Sequence, residues 1–383
     1  MKRMCLAPIL AACMLLTACG GTPAAEAPTG VYYEITGVAP AETVLVLDGN
    51  EIPAELYCYW TAFNCSAVEY QLNMYHDYYG MYEELFRDDG TIDWNAGFPD
   101  SDLTLNEYAQ NMVEDTVYFY AAIENLAEKY GVELTEEDEA AIEEERRSME
   151  DSLGGPEAFE DYLQETGLSL GNLRRVMAAT SLLDGLIDLA AQADSALYLP
   201  REDYGQHFYY TDYIALSLTG DMTEEERAEV RGTAQNLLTQ LNEAEDKEAL
   251  FSKLVEEYSQ ERPQSEGQHG YFYAPDVMPE VFENTVRTLS PGEVSGLVES
   301  EHAVYILLGK DLEQGLAAYP DQKDALLQSY VMELVNDYQD EMEVERRGDL
   351  TNMMVGDFYQ QYLDQMNQRA VEDAAAVLRK AQE

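Results

Sequence analysis

Positive charge is scarce in this 383-residue sequence: 22 Lys and Arg stand against 75 Asp and Glu, a formal net charge of −53. A polyanion of this kind repels a phosphate backbone, which argues against nucleic acid as a partner. Histidine is scarce too. His76, His207, His269 and His302 form no H-E-x-x-H motif and no paired ligand spacing, so no metal site is expected. There is no P-loop and no dinucleotide fingerprint, and no cofactor is expected. Acidic residues are plentiful but not arranged as ligands. Asp88-Asp89-Gly90-Thr91-Ile92-Asp93 does not follow the EF-hand order. Cation binding by acidic clusters therefore stays an alternative to a solvated, repulsive surface.

Cysteines are few, and three of the five lie before residue 20. The other two, Cys58 and Cys65, are seven apart on a segment that reads as helix. That spacing separates their Cα atoms by about 10.5 Å, beyond the roughly 7 Å reach of a disulfide. They are read as small apolar residues on one buried stripe, with a functional thiol pair as the alternative.

Long apolar runs are also missing. The run Leu6–Leu16, preceded by Lys2 and Arg3, is too short to span a bilayer as a permanent helix but suits a signal-peptide core. It leads into Leu16-Thr17-Ala18-Cys19-Gly20-Gly21, which resembles a bacterial lipobox. The resemblance implies that residues 1–18 are removed, that Cys19 is lipidated, and that the protein sits on the extracytoplasmic face of the bacterial cell membrane. Loss of Lys2 and Arg3 leaves 20 basic against 75 acidic residues, or −55. The small and polar residues after Cys19 read as a flexible tether over 19–42.

Material for a core is ample: 46% of residues are hydrophobic and 28 are tyrosine. The length suggests two or three domains. Thr43–Leu47 is a short strand candidate. A turn over 48–53 precedes a helix over 54–79, which Pro53 opens. Gly80–Leu103 is loop-rich, and a helix over 104–130 ends at Gly131. Thr135 caps a charged helix with an acidic first turn. Gly154-Gly155-Pro156 breaks it, a short helix runs to Gly167, and Ser169 opens another to about residue 193. Gly167-Leu168-Ser169-Leu170-Gly171 satisfies G-x-S-x-G, but no strand precedes it, so a hydrolase is not inferred. Tyr209–Thr219 reads as a strand. Helices are expected over 223–242 and 246–258, then a strand, a Met-x-x-x-Phe helix and a hairpin. Helices over 321–346 and 352–380 complete the chain.

The stretch Tyr258–Lys310 resembles the C-terminal half of parvulin-type peptidyl-prolyl isomerases. It orders a serine-acid turn, a glycine-spaced aromatic strand, Met278-x-x-x-Phe282, a Pro291-Gly292-Glu293-Val294-Ser295 turn and an apolar hairpin. The phrases "YGVELT", "GGPEAFEDYL" and "GLSLGNLR" resemble the helical module of PrsA- and SurA-type foldases. The fold this implies is α+β: a helical chaperone module in two segments, 43–203 and 315–383, with an inserted parvulin-like domain at 204–314 that holds a small antiparallel sheet. In that family a C-terminal helix packs back on the N-terminal ones.

The resemblance also implies a site. Tyr213 and Tyr305 stand where the family carries histidine. Glu261 replaces its active-site cysteine or aspartate, and Ser300 matches the pocket hydroxyl. Met278 and Phe282 match the proline-pocket pair. Gly267-Gln268-His269-Gly270-Tyr271-Phe272 matches the glycine-spaced strand, with His269 and Phe272 on the substrate side. Helical spacing would set Met278 and Phe282 side by side. Plain helix–sheet packing accounts for the same pair, and an exposed or capping role accounts for His269. The implied activity is prolyl isomerisation on unfolded secreted proteins and proline-containing peptides. Loss of both histidines puts the rate in question. The alternatives are a non-catalytic holdase and, in another class, a surface scaffold or solute-binding lipoprotein. A solute binder should repeat strand–helix units in two lobes, which this sequence does not.

Overall fold

Residues 28–99, 101–259 and 270–380 are described by the computed structural model. Cys19, Glu261 and His269 lie outside the described residues. The first elements are α1 (Val31–Thr36), β1 (Thr43–Leu47), β2 (Asn50–Pro53) and α2 (Ala54–Tyr79). Asp48 and Gly49 between the strands both have positive φ, 50° and 88°, the signature of a tight two-residue hairpin. Helices α3 (Leu105–Tyr130), α4 (Glu136–Leu153), α5 (Pro156–Thr166) and α6 (Leu170–Ala191) follow. Their starts are set by chemistry: Thr104 with Glu107, and Thr135 with Asp138, form capping boxes, and the Ser169 hydroxyl accepts from the Asn172 amide.

A short α7 (Tyr204–His207) leads into the second sheet. Its elements are β3 (Tyr209–Ser217), α8 (Glu224–Glu243), α9 (Lys247–Tyr258), β4 (Tyr271–Tyr273), α10 (Glu280–Val286), β5 (Val298–Glu299) and β6 (Ala303–Gly309). The chain then returns through α11 (Leu312–Ala318), α12 (Asp321–Glu341), β7 (Val344–Arg346) and α13 (Val355–Lys380). The described residues are thus mostly helical with two small antiparallel sheets, ordered β2-β1-β7 and β4-β3-β6-β5.

One hydrophobic core gathers helices from both ends of the sequence. Tyr57, Val113, Val117, Leu126, Leu173 and Leu186 pack with Leu326, Leu327, Val331, Val335, Val355 and Phe358. Buried Glu55 of α2 accepts hydrogen bonds from the Ser169 amide (2.6 Å), the Ser169 hydroxyl (2.8 Å) and the Asn172 side chain. A carboxylate placed on the first amides of α6 answers both their unmet donors and the helix dipole. Arg175 ties the hairpin to α3 by donating to Glu124 (2.5 and 2.6 Å) and Asn50 (2.5 Å). Cys58 and Cys65 are free and buried, and burial pushes both thiols well above the ordinary range.

Several expectations change. The tether does not extend to residue 42: α1 buries Val31 and Tyr32, whose ring lies 6.0 Å from Phe358 and Tyr362. The turn over 48–53 contains a strand, β2. The helix expected over 321–346 stops at Glu341, because Val344–Arg346 pairs with β1. A further helix, α11, stands between the sheet and α12, and α13 begins at Val355 after a 3-10 turn at Leu350–Asn352. Each missed element is short, and α1 and β7 depend on partners far away in sequence.

Candidate functional site

The four-stranded sheet separates two layers by the alternation of strand side chains. Ile214, Leu216, Val304, Ile306 and Leu308 face α8 and α9. Tyr209, Tyr213, Ala215, Tyr273, Tyr305 and Leu307 face the other way and are covered by α10 through Phe282 and Val286. The candidate site lies in this second layer.

Tyr213 and Tyr305 are brought together. In the β3–β6 register Tyr213 faces Leu307 and Ala215 faces Tyr305, so the two rings are diagonal neighbours. Their centroids are 6.1 Å apart, edge to face. Phe282 closes the triangle, 5.3 Å from Tyr213 and 5.1 Å from Tyr305, again edge to face. Tyr271 packs on Tyr213 at 4.3 Å. Phe282 is fully buried, whereas Met278 at the margin is half-buried.

Met278 and Phe282 do not share a helix. Pro279 is the N-cap of α10, and a residue before proline is pushed out of helical conformation. Met278 is instead fixed by its backbone. Its amide donates to the buried Glu283 carboxylate at 3.1 Å. That carboxylate is 3.8 Å from Arg287, whose Nε donates to the Tyr209 hydroxyl at 2.5 Å. Glu283 and Arg287 thus position the loop that carries Met278, a role the Met-x-x-x-Phe spacing does not reveal. Beside them the Tyr273 hydroxyl is buried, with its pKa driven up by desolvation and then by Glu283.

Ser300 and Phe272 stand elsewhere. The Ser300 hydroxyl accepts from the His302 and Ala303 amides, 3.2 and 3.1 Å, within the β5–β6 turn. Phe272 points to the opposite face of β4 from Tyr271 and Tyr273. It stacks on Tyr210 at 4.1 Å and against Tyr319 of the returning chain. Gly315 of α11 crosses directly above that stack, where a Cβ would come within 2.7 Å of Tyr210. Ser259, next to the segment that holds Glu261, accepts from the Ala215 amide at 3.1 Å. This C-cap of α9 therefore docks on β3 two residues from Tyr213. Among the described residues no group of His, Cys, Asp and Glu could hold a metal ion, and no helix is long and apolar enough to cross a membrane.

A strand–helix–helix–strand–helix–strand–strand module with an aromatic layer under its short helix defines a class. Residues 214–311 match the rotamase family described as the PPIC-type PPIase domain, so this part of the chain is a parvulin-type domain. The chain is similar to foldase protein PrsA of Oceanobacillus iheyensis, 26% identical over 233 residues that cover 59% of this chain and 70% of that one. Among solved structures it is similar to the peptidylprolyl isomerase PrsA of Bacillus anthracis. Identity is 15%, coverage is 65% of this chain and 97% of that one, and the TM-score is 0.29. The PrsA of Bacillus cereus gives 17%, 70%, 91% and 0.30 in the same order. The chain thus carries a parvulin-type domain, and over more than half of its length it is similar to a PrsA foldase.

Proposed function

We propose that this protein is a lipid-anchored, extracytoplasmic folding factor that holds unfolded secreted chains and isomerises their prolyl bonds slowly or not at all. The observation that carries the reading is the packing of Tyr213 and Tyr305 on Phe282, beside half-buried Met278. Rotation about a prolyl amide faces a barrier of about 18–20 kcal/mol. Lowering it requires a desolvated grip on the ring and hydrogen bonds that strengthen as the amide twists. Met278, at the margin of the buried Phe282, offers an apolar contact for a pyrrolidine ring. Tyrosine hydroxyls can donate and accept, but they replace both family histidines, so the polar network differs where the rate is set. Glu261 and His269 remain candidates for contact from the segment beside Ser259. Ser300 and Phe272 are left out of the proposed site, since each is engaged elsewhere.

Holding of clients falls to the helical module. On the solvent side of α2, Phe63, Tyr70 and Tyr78 are 55%, 73% and 81% exposed. Their spacing of seven and eight residues sets them along one face. Large rings, two of them tipped by a hydroxyl, suit broad, unspecific apolar contact. In the full chain, dilution of denatured, reduced lysozyme should aggregate several-fold less in its presence. Replacing Phe63, Tyr70 and Tyr78 together by serine should lose most of that protection. Absence of protection by the wild-type chain would leave a surface scaffold as the better reading. Mass spectrometry of membrane-extracted protein should find Cys19 as a lipidated N-terminus. An unmodified or differently cut N-terminus contradicts the anchor.

A further inference from the structure

A groove of about 690 Å³ runs between the loop after β4 and one face of α12. Phe208, Pro275 and Met332 supply apolar surface, and Asp276, Glu333 and Asp337 supply carboxylates. Its rim comes close to the candidate site along the chain, because Asp276 precedes Met278 by only two residues. The chain between them spans at most about 7 Å. Val277 and Val281, in the loop after β4 and in α10, are 63% and 42% exposed.

The charges of the groove are unbalanced. Glu333 is in hydrogen-bond contact with His207, 2.6 Å away. Arg287 faces Asp276 from α10 but is held by Glu283 and Tyr209. Asp337 and Asp276 have no ion pair within 4 Å among the described residues. A second copy of this chain is disfavoured as occupant, since each copy carries −53. A basic, extended segment fits: its alkyl stems lie on Pro275 and Met332, and its head reaches a carboxylate.

We propose that this groove selects the flanking sequence of a client whose proline sits at Met278, favouring a Lys or Arg two or three residues from the proline on one side. The inference rests on the functional reading above. An extended chain advances about 3.3–3.6 Å per residue, so two or three residues carry a side chain from Met278 into the groove.

The test uses the full chain and unstructured fluorescent peptides with a central Ala-Pro. Each carries Lys, Ala or Glu three residues before or after the proline, and binding is followed by anisotropy at 20 and 300 mM NaCl. At low salt the Lys peptide of one side should bind about tenfold more tightly than its Glu counterpart. The ratio should shrink at high salt, as screening requires. Asp337→Lys, and separately Asp276→Asn, should bring it towards one. Binding without a Lys preference overturns this inference and leaves the functional reading standing, as does a preference untouched by both substitutions. Failure of every peptide to bind removes the proline-site part of that reading and this inference with it.

Discussion

Ending the chain after Tyr319 is expected to unfold the helical module and leave the parvulin-type domain folded. The truncation removes α12, β7 and α13, and with them Leu326, Leu327, Val331, Val335, Val355, Phe358 and Tyr359, all buried in the core built on α2, α3 and α6. At about 1.5–3 kcal/mol for each fully buried side chain, the loss is on the order of 10–20 kcal/mol. A whole domain is stable by only about 5–15 kcal/mol. The removal also strips β1 of a strand partner, since Leu45, Val46 and Leu47 pair with Arg346, Glu345 and Val344. The two layers of the parvulin-type sheet draw no residue from α12 or α13, and the cut spares Gly315 and Tyr319 against Tyr210 and Phe272. Hydrogen exchange followed by mass spectrometry should show fast exchange over residues 54–191 and protection over 209–217 and 303–309. Equal protection of both regions would show that the helical core does not need its C-terminal segment.

Phe282→Ala should destabilise the parvulin-type domain by about 3–5 kcal/mol, the usual cost of deleting a buried phenylalanine side chain. Phe282 is fully buried and touches three tyrosine rings at 5.1, 5.3 and 5.9 Å. Its removal opens a cavity under α10 rather than a gap in an exposed cup. Lost binding in that variant therefore reports folding as much as contact with a client. Met278, half-buried at the margin, is the better probe of contact. Denaturant melts read domain by domain should show the Phe282→Ala loss in the sheet alone. A change below about 1 kcal/mol would mean that the layer relaxes around the space.

How much of this was legible in the sequence depends on where each signal resides. The bounds of α2 and α3 could be read because their punctuation is local: Pro53, Thr104, Gly80 and Gly131 act on the residues beside them. The alternation Tyr209, Tyr213, Ala215 and Tyr271, Tyr273 likewise carries the layer under α10. That same alternation sets Phe272 on the other face, so its placement with substrate conflicted with a signal already present. Met278 is a similar case, because Pro279 excludes it from the helix that its spacing to Phe282 suggested. Ser300 stands two residues before His302, at a position where a serine hydroxyl commonly binds a nearby amide in a turn. β7 is different. Val344, Glu345 and Arg346 are all exposed and show no alternating burial, so only β1 makes them a strand. α1 has six residues, too few to hold without Phe358 and Tyr362. Glu283 and Arg287 looked like ordinary surface charges of a short helix until folding placed them beside Met278 and Tyr209.

The central claim, that the parvulin-type face engages proline segments without accelerating their isomerisation strongly, is tested most directly by NMR exchange spectroscopy. The sample is an Ala-Pro peptide titrated with the full chain. The account predicts shifts of the proline resonances that Met278→Lys abolishes, with cis–trans exchange accelerated no more than several-fold at substoichiometric protein. Acceleration by orders of magnitude, lost in Met278→Lys, would show that Tyr213 and Tyr305 serve as well as the histidines they replace. Unshifted proline resonances would contradict the proline site itself.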